Sequence, residues 1–112
     1  MQKIDAQRLE AMQASGEDFV LLNVLPEASF QEQHIPGSDH AEVQSENFVE
    51  QVEQLAGGKD RRIVVYCSSP RCVASRTAAR KLEQAGFTDV WRFPGGLEEW
   101  SSADRPLRGQ AA

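Results

Sequence analysis

The 112-residue chain is 40% apolar and 7% aromatic, a size and composition that suit one compact domain and leave little for a second. With 12 Lys plus Arg against 17 Asp plus Glu, the net charge is −5, so no basic field exists to hold a nucleic-acid backbone or anionic lipid, and neither is expected as a partner. The longest apolar runs, Phe19 to Leu22 and Ile63 to Cys67, fall far short of the roughly 20 residues that cross a bilayer.

From the N-terminus, Met1 to Glu10 alternates charged and apolar residues without the apolar stretch of a secretory leader, so a cytoplasmic setting with reduced thiols is expected. Asp5 is a candidate cap for a first helix with Ala6, Leu9 and Met12 on its apolar side, ending near Ser15-Gly16. Phe19 to Val24 reads as a strand buried on both faces, ended by Pro26. A short helical stretch from Glu27 to Gln33 runs into the turn His34-Ile35-Pro36-Gly37, and Ala41 to Val43 reads as a brief strand. After Ser45, Phe48, Val49, Val52 and Leu55 recur at helical spacing until Gly57-Gly58 closes the helix.

Arg62 to Cys67 is the strongest strand in the sequence, β-branched and aromatic throughout its centre, and is expected to be central. A loop from Ser68 to Cys72 around Pro70 leads to a helix from Val73 to Ala85, with Ala74, Ala78 and Leu82 on one face and Gly86 as terminator. A last strand, Val90 to Phe93, precedes Pro94-Gly95-Gly96 and a helical turn from Leu97 to Trp100. Residues 1–102 are thus expected to form the domain, and 103–112 a frayed polar tail. Strands alternating with helices predict an α/β fold, a mostly parallel sheet covered by helices on both faces, with ligands at the carboxyl ends of its strands.

Cys67 lies at such an end. Loop amides and the unpaired N–H groups of a helix start converge on an anion, and a thiolate is one; such donors lower a thiol pKa from its ordinary value near 8.5. Ser68, Ser69, Pro70, Arg71, Val73, Ala74, Ser75 and Arg76 are the candidate anion-binding loop, with Arg71 and Arg76 adding positive charge. A cysteine ending an apolar strand is often only a small hydrophobe, but the turn-forming residues after Cys67 favour an exposed, reactive position. Cys72 reads as a loop thiol, a partner resolving an oxidised or persulfidated Cys67, or a buried spacer. His34 and His40 are candidate bases that equally suit turn-fixing hydrogen bonds, and Trp91 and Trp100 read as packing residues. Two histidines and two cysteines lack the paired short spacing of a zinc site, so no metal is expected. Gly95 and Gly96 read as a close backbone approach near the active loop.

Taken in order, these stretches resemble a single-domain rhodanese across nearly the whole chain. Leu21-Leu22-Asn23-Val24 with Phe30 and His34-Ile35-Pro36-Gly37 is similar to that family's N-terminal signature, and Ile63 to Cys67 to the strand entering its active loop. Ala78-Ala79, Leu82, Gly86-Phe87, Val90 and Gly95-Gly96-Leu97 with Trp100 are similar to its C-terminal half. The resemblance implies a rhodanese-like three-layer sandwich and a sulfurtransferase or sulfur carrier without a cofactor. Cys67 would take a sulfane sulfur from a small donor such as thiosulfate and pass it to a thiol, a protein thiol among them, or to cyanide.

Departures from the family pattern are specific. Asn23-Val24-Leu25 stands where the family usually has Asp-Val-Arg, implying loss of a framework ion pair. Ala78-Ala79 lies about two residues farther from Cys67 than usual, implying an enlarged cradle. The related cell-cycle phosphatases need an arginine six positions after the cysteine, where this chain has Val73 counted from Cys67 and Ala78 counted from Cys72, so phosphatase chemistry lacks its clamp. The remaining alternatives are a non-catalytic binding module and a thiol redox switch formed by Cys67 and Cys72.

Overall fold

Strands that are apolar on both faces need cover on both faces, and the connections between them decide which helix provides it. The computed structural model of the chain describes residues 2–109. Its elements are β1 (Gln2–Lys3), α1 (Ala6–Ala14), β2 (Val20–Asn23), α2 (Glu27–Glu32), β3 (Ser38–His40), α3 (Phe48–Ala56), β4 (Ile63–Tyr66), α4 (Ala74–Gln84), β5 (Val90–Phe93) and α5 (Gly96–Ser102). The five strands form one parallel sheet in the order β1-β5-β4-β2-β3.

The steps β1 to β2 and β2 to β3 move one way across the sheet, whereas β3 to β4 and β4 to β5 move back. Right-handed crossovers therefore put α1 and α2 on one face and α3 and α4 on the other. Side chains tie each pair together: Gln13 of α1 donates to the Pro36 carbonyl beyond α2 (2.9 Å), and Lys81 of α4 donates to the Val43 carbonyl ahead of α3 (2.9 Å). The chain reverses direction between β2 and β4, so the crevice at their carboxyl ends is the topological switch point where ligands gather in such sheets.

Local chemistry accounts for most element ends. Asp5 caps α1 by accepting from the Arg8 amide (2.9 Å), and Gly57 ends α3 in the left-handed conformation. All four residues of β2 and all four of β4 are buried, as strands sandwiched between two helical layers must be. Buried Leu9, Met12, Phe48, Val52, Ala78 and Leu82 line the helical faces that cover them.

Four expectations are corrected. The third strand is Ser38–His40, not Ala41 to Val43, because register with β2 rather than apolarity selects an edge strand; the ladder only continues as single bonds from Ala41 to Asn23 and from Val43 to Val24. Leu55 points outward at 38% exposure, and Ala56 takes the inward position. The buried face of α4 is Ser75, Ala78, Ala79 and Leu82, with Ala74 only partly covered and Val73 outside the helix. Part of the tail expected to fray is tied down: Trp100 donates to the Pro106 carbonyl (2.9 Å), and His34 and Arg108 exchange two backbone hydrogen bonds (2.8 Å each). Residues 110–112 of that tail lie outside the described residues.

Candidate active site

The last residue of β4, Tyr66, carries the polar hub of the sheet end. Its buried hydroxyl accepts from Asn23 Nδ2 (3.1 Å) and from the Ile35 amide (3.1 Å), and lies 2.6 Å from Ser38 Oγ. Ser38 spends its own proton on the Ile35 carbonyl (2.6 Å), so the phenol donates to Ser38, and every hydrogen-bonding site of the group is used. Asn23, fully buried, also accepts from the Leu25 amide through Oδ1 (3.0 Å). A neutral amide that both donates and accepts fits a place where Leu25 offers no charge to pair with a carboxylate. Burial raises the Tyr66 phenol above its ordinary value, against the pull of Ser38, Asn23 and Ile35.

One residue later the arrangement changes. Cys67 is 1% exposed, and its sulfur donates to the Cys72 carbonyl (3.5 Å). Burial pushes its thiol above the ordinary range; its hydrogen bond to the Cys72 side chain adds to this, and the hydroxyl and amide of Ser75 pull the other way without prevailing. The expectation of an exposed Cys67 with a depressed pKa is therefore corrected: the converging donors exist, but burial outweighs them.

The depressed thiol is Cys72. Its partial burial alone would raise the pKa; the hydrogen bond from Cys67, the Ala74 and Ser68 amides and the Ser68 hydroxyl together bring it below the ordinary value. The N-cap of α4 is Val73, which makes no side-chain cap hydrogen bond, so first-turn N–H groups are left to serve the two sulfurs, and the helix dipole adds to them. Helix geometry thus divides its donors, Ala74 to the outer thiol and Ser75 to the inner one.

Behind Cys67 stands a residue that the sequence reading passed over. Arg92 of β5, in register with Val65, is 7% exposed, and its Nε is buried without a hydrogen-bond partner among the described residues. Burial and the Arg76 charge lower its pKa, while the Cys67 thiolate raises it, so both arginines and the sulfur share one electrostatic neighbourhood. A charged residue inside the strand Val90-Trp91-Arg92-Phe93 was the available signal: a cation is not placed between two layers without something to meet.

The remaining loop residues separate by position. Ser69, Pro70 and Arg71 line an open cleft of about 460 Å3 with Glu98 of α5. Cys72, Val73 and Ala74 line a second of about 250 Å3 with Val43, Gln44, Thr77 and Lys81. Gly96, at φ +59°, starts α5 so close to β4 that the Leu97 and Glu98 amides bind the Cys67 and Ser68 carbonyls (3.1 and 2.9 Å), the close approach expected of the Gly-Gly pair. His34 bonds the Phe30 carbonyl (2.8 Å) and His40 the Leu25 carbonyl (2.6 Å), with Phe30 stacked on both rings; these histidines fix the turns around β2 and β3.

The model of the rhodanese-like domain matches residues 5–103. The chain belongs to the rhodanese family. It is 31% identical to a protein of Pseudomonas savastanoi named thiosulfate sulfurtransferase GlpE, over 96% of this chain and 95% of the relative. Among solved structures, it is similar to the BH2092 protein of Bacillus halodurans (TM-score 0.85, 27% identity, 96% of this chain and 77% of that one). It also matches the rhodanese-like domain of the Anabaena protein Alr3790 (TM-score 0.83, 27% identity, 98% and 80%). No helix among the described residues is long and apolar enough to cross a membrane.

Proposed function

We propose that this rhodanese-like sulfurtransferase carries its sulfur on Cys67, taking it from a small anionic donor such as thiosulfate in the cytoplasm. The carrying observation is the meeting of Cys67, the Ser75 hydroxyl and amide, and Arg92, whose buried Nε has no partner among the described residues, at the switch point of the sheet. The Cys67 thiolate attacks the outer sulfur of thiosulfate, the new S–S bond forms as the bond to the sulfonate breaks, and sulfite leaves. A thiol, a protein thiol or cyanide then attacks the outer sulfur of the persulfide and regenerates Cys67. No cofactor enters these steps.

In this reading Arg92 and Arg76 supply locally what an acidic chain lacks overall, attraction for an anion, and Ser75 holds the charge on sulfur. Ser68, Ser69, Pro70, Arg71, Val73 and Ala74 form the surrounding loop. Cys72 covers Cys67 with its carbonyl and its thiol, so loading requires the loop to turn that cover aside. Mass spectrometry after brief thiosulfate treatment tests the reading: a gain of about 32 Da, one sulfur atom, is expected on a peptide containing Cys67 in the Cys72→Ser variant. No adduct, or an adduct that survives Cys67→Ser, overturns it.

A further inference from the structure

Two thiols of unlike character lie against each other in one short loop, and a single carrier sulfur leaves the second without a task. The turn closed by the Cys72 amide on the Ser69 carbonyl (3.0 Å) folds Cys72 back onto Cys67. Its carbonyl takes the Cys67 Sγ–H (3.5 Å), and the two side chains interact directly. The inner sulfur is sealed, whereas the outer one is half-buried and opens on the cleft with Val73 and Lys81.

We propose that Cys72 attacks the inner sulfur of a Cys67 persulfide, forming a Cys67–Cys72 disulfide and releasing hydrosulfide. The inference rests on the Cys67 persulfide proposed above and adds a second outcome for it. The inner sulfur is the Cys67 Sγ that touches the Cys72 side chain in the unloaded protein, so return of the loop after loading brings the attacking atom beside its target. In the step, the Cys72 thiolate forms the S–S bond, the bond to the outer sulfur breaks, and that sulfur leaves as HS⁻ with the pair of electrons. The sulfane sulfur is reduced by two electrons and the two cysteines are oxidised by two, so no outside oxidant is needed. A dithiol reductant returns both cysteines to thiols by exchange at the half-exposed Cys72. Only the thiolate attacks, and the Ala74 and Ser68 amides and the Ser68 hydroxyl, which pull the Cys72 pKa down, favour that form.

The chain therefore has two products. An acceptor nucleophile that reaches the outer sulfur first receives it as sulfane sulfur; otherwise Cys72 expels it as sulfide, and the domain stops after one turnover until a dithiol resets it.

The test uses the full chain, reduced and freed of reductant under anaerobic conditions, mixed with one equivalent of thiosulfate. The expected result is close to stoichiometric sulfide, loss of both free thiols and a mass about 2 Da below the reduced chain, two hydrogens lost to an internal disulfide. Cys72→Ser is expected, in the same absence of any added thiol, to keep the sulfur on Cys67 and release only background sulfide. Wild-type protein that holds a stable persulfide on Cys67 with Cys72 still free overturns this inference and leaves the carrier reading standing. Failure of both wild type and Cys72→Ser to take up sulfur overturns the two together.

Discussion

Tyr66 and Cys67 are neighbours in sequence at the end of the same buried strand, yet they close opposite kinds of polar cluster. Around Tyr66, the phenol, Asn23, Ile35 and Ser38 satisfy one another completely. Around Cys67, Arg92 Nε has no partner among the described residues, and burial raises the thiol pKa although donors converge on it. A saturated cluster holds a shape, because any shift leaves a buried group unpaired. An unsaturated one leaves a charge for a ligand to meet, which fits the anionic donor proposed above. The contrast separates the half of the strand end that builds the site from the half that uses it.

Cys67→Ser removes the proposed nucleophile and so breaks the reactive half outright. Sulfur transfer from thiosulfate to cyanide is expected to fall by roughly a thousandfold or more, the scale on which nucleophile removal acts. A smaller loss measured in a steady-state thiocyanate assay would move the carrier elsewhere. Arg92→Met leaves the sulfur but withdraws the charge behind it, and a hydrogen bond or contact to a charged group is worth about 1.5–3 kcal/mol, or roughly 10- to 100-fold. The loss is expected mainly in KM for thiosulfate. The alkaline shift has a definite sign: without the cation the Cys67 thiolate is less favoured, so the rising limb of the pH profile moves to higher pH. Arg92→Lys is expected to recover part of both. An unchanged pH profile and KM in Arg92→Met would reduce Arg92 to packing.

Gly96→Ala acts on the join between the two halves. A methyl group at φ +59° would meet the Cys67 carbonyl, and the left-handed conformation alone costs a non-glycine residue about 1–2 kcal/mol. Lower stability to denaturant together with slower transfer is expected, since the Leu97 and Glu98 amides that pin Cys67 and Ser68 would shift. Wild-type stability and rate in this variant would mean that the α5 start does not position the loop.

What the sequence disclosed follows the strength of local signals. The two central buried strands, the helices after Ser45 and after Cys72, and the Gly-Gly approach all show in runs of apolar residues and in turn chemistry. β3 was misplaced because Ser38-Asp39-His40 is polar, and only the pairing with β2 makes it a strand. The loop with two thiols could be located, but not which thiol is buried, because the four residues between them allow either. Burial is a tertiary property: the α5 start and the loop itself cover Cys67 and leave Cys72 open. Arg92 escaped for the same reason, as it sits in an apolar strand where only the fold shows what it faces, and Ser75, although named in the candidate loop, could not be set against Cys67 rather than Cys72.

Tyr66→Phe addresses the structural half and carries the smallest effect on chemistry. It leaves the Asn23 and Ile35 donors and Ser38 without their buried partner, at a cost of about 1–3 kcal/mol measured as a lower denaturation midpoint. The alkaline behaviour separates this from a simple packing loss. Burial holds the folded phenol above its ordinary value of 10.0, so the unfolded chain ionises first as pH rises. Stability from the neutral phenol is therefore complete below that value and is lost as pH climbs through it toward the higher folded pKa. The wild type is expected to lose stability in that alkaline window more steeply than Tyr66→Phe, so the gap between them narrows there. Equal slopes in chemical denaturation across that window would mean that the phenol ionises alike in both states, and that the saturated cluster is not what holds the strand end.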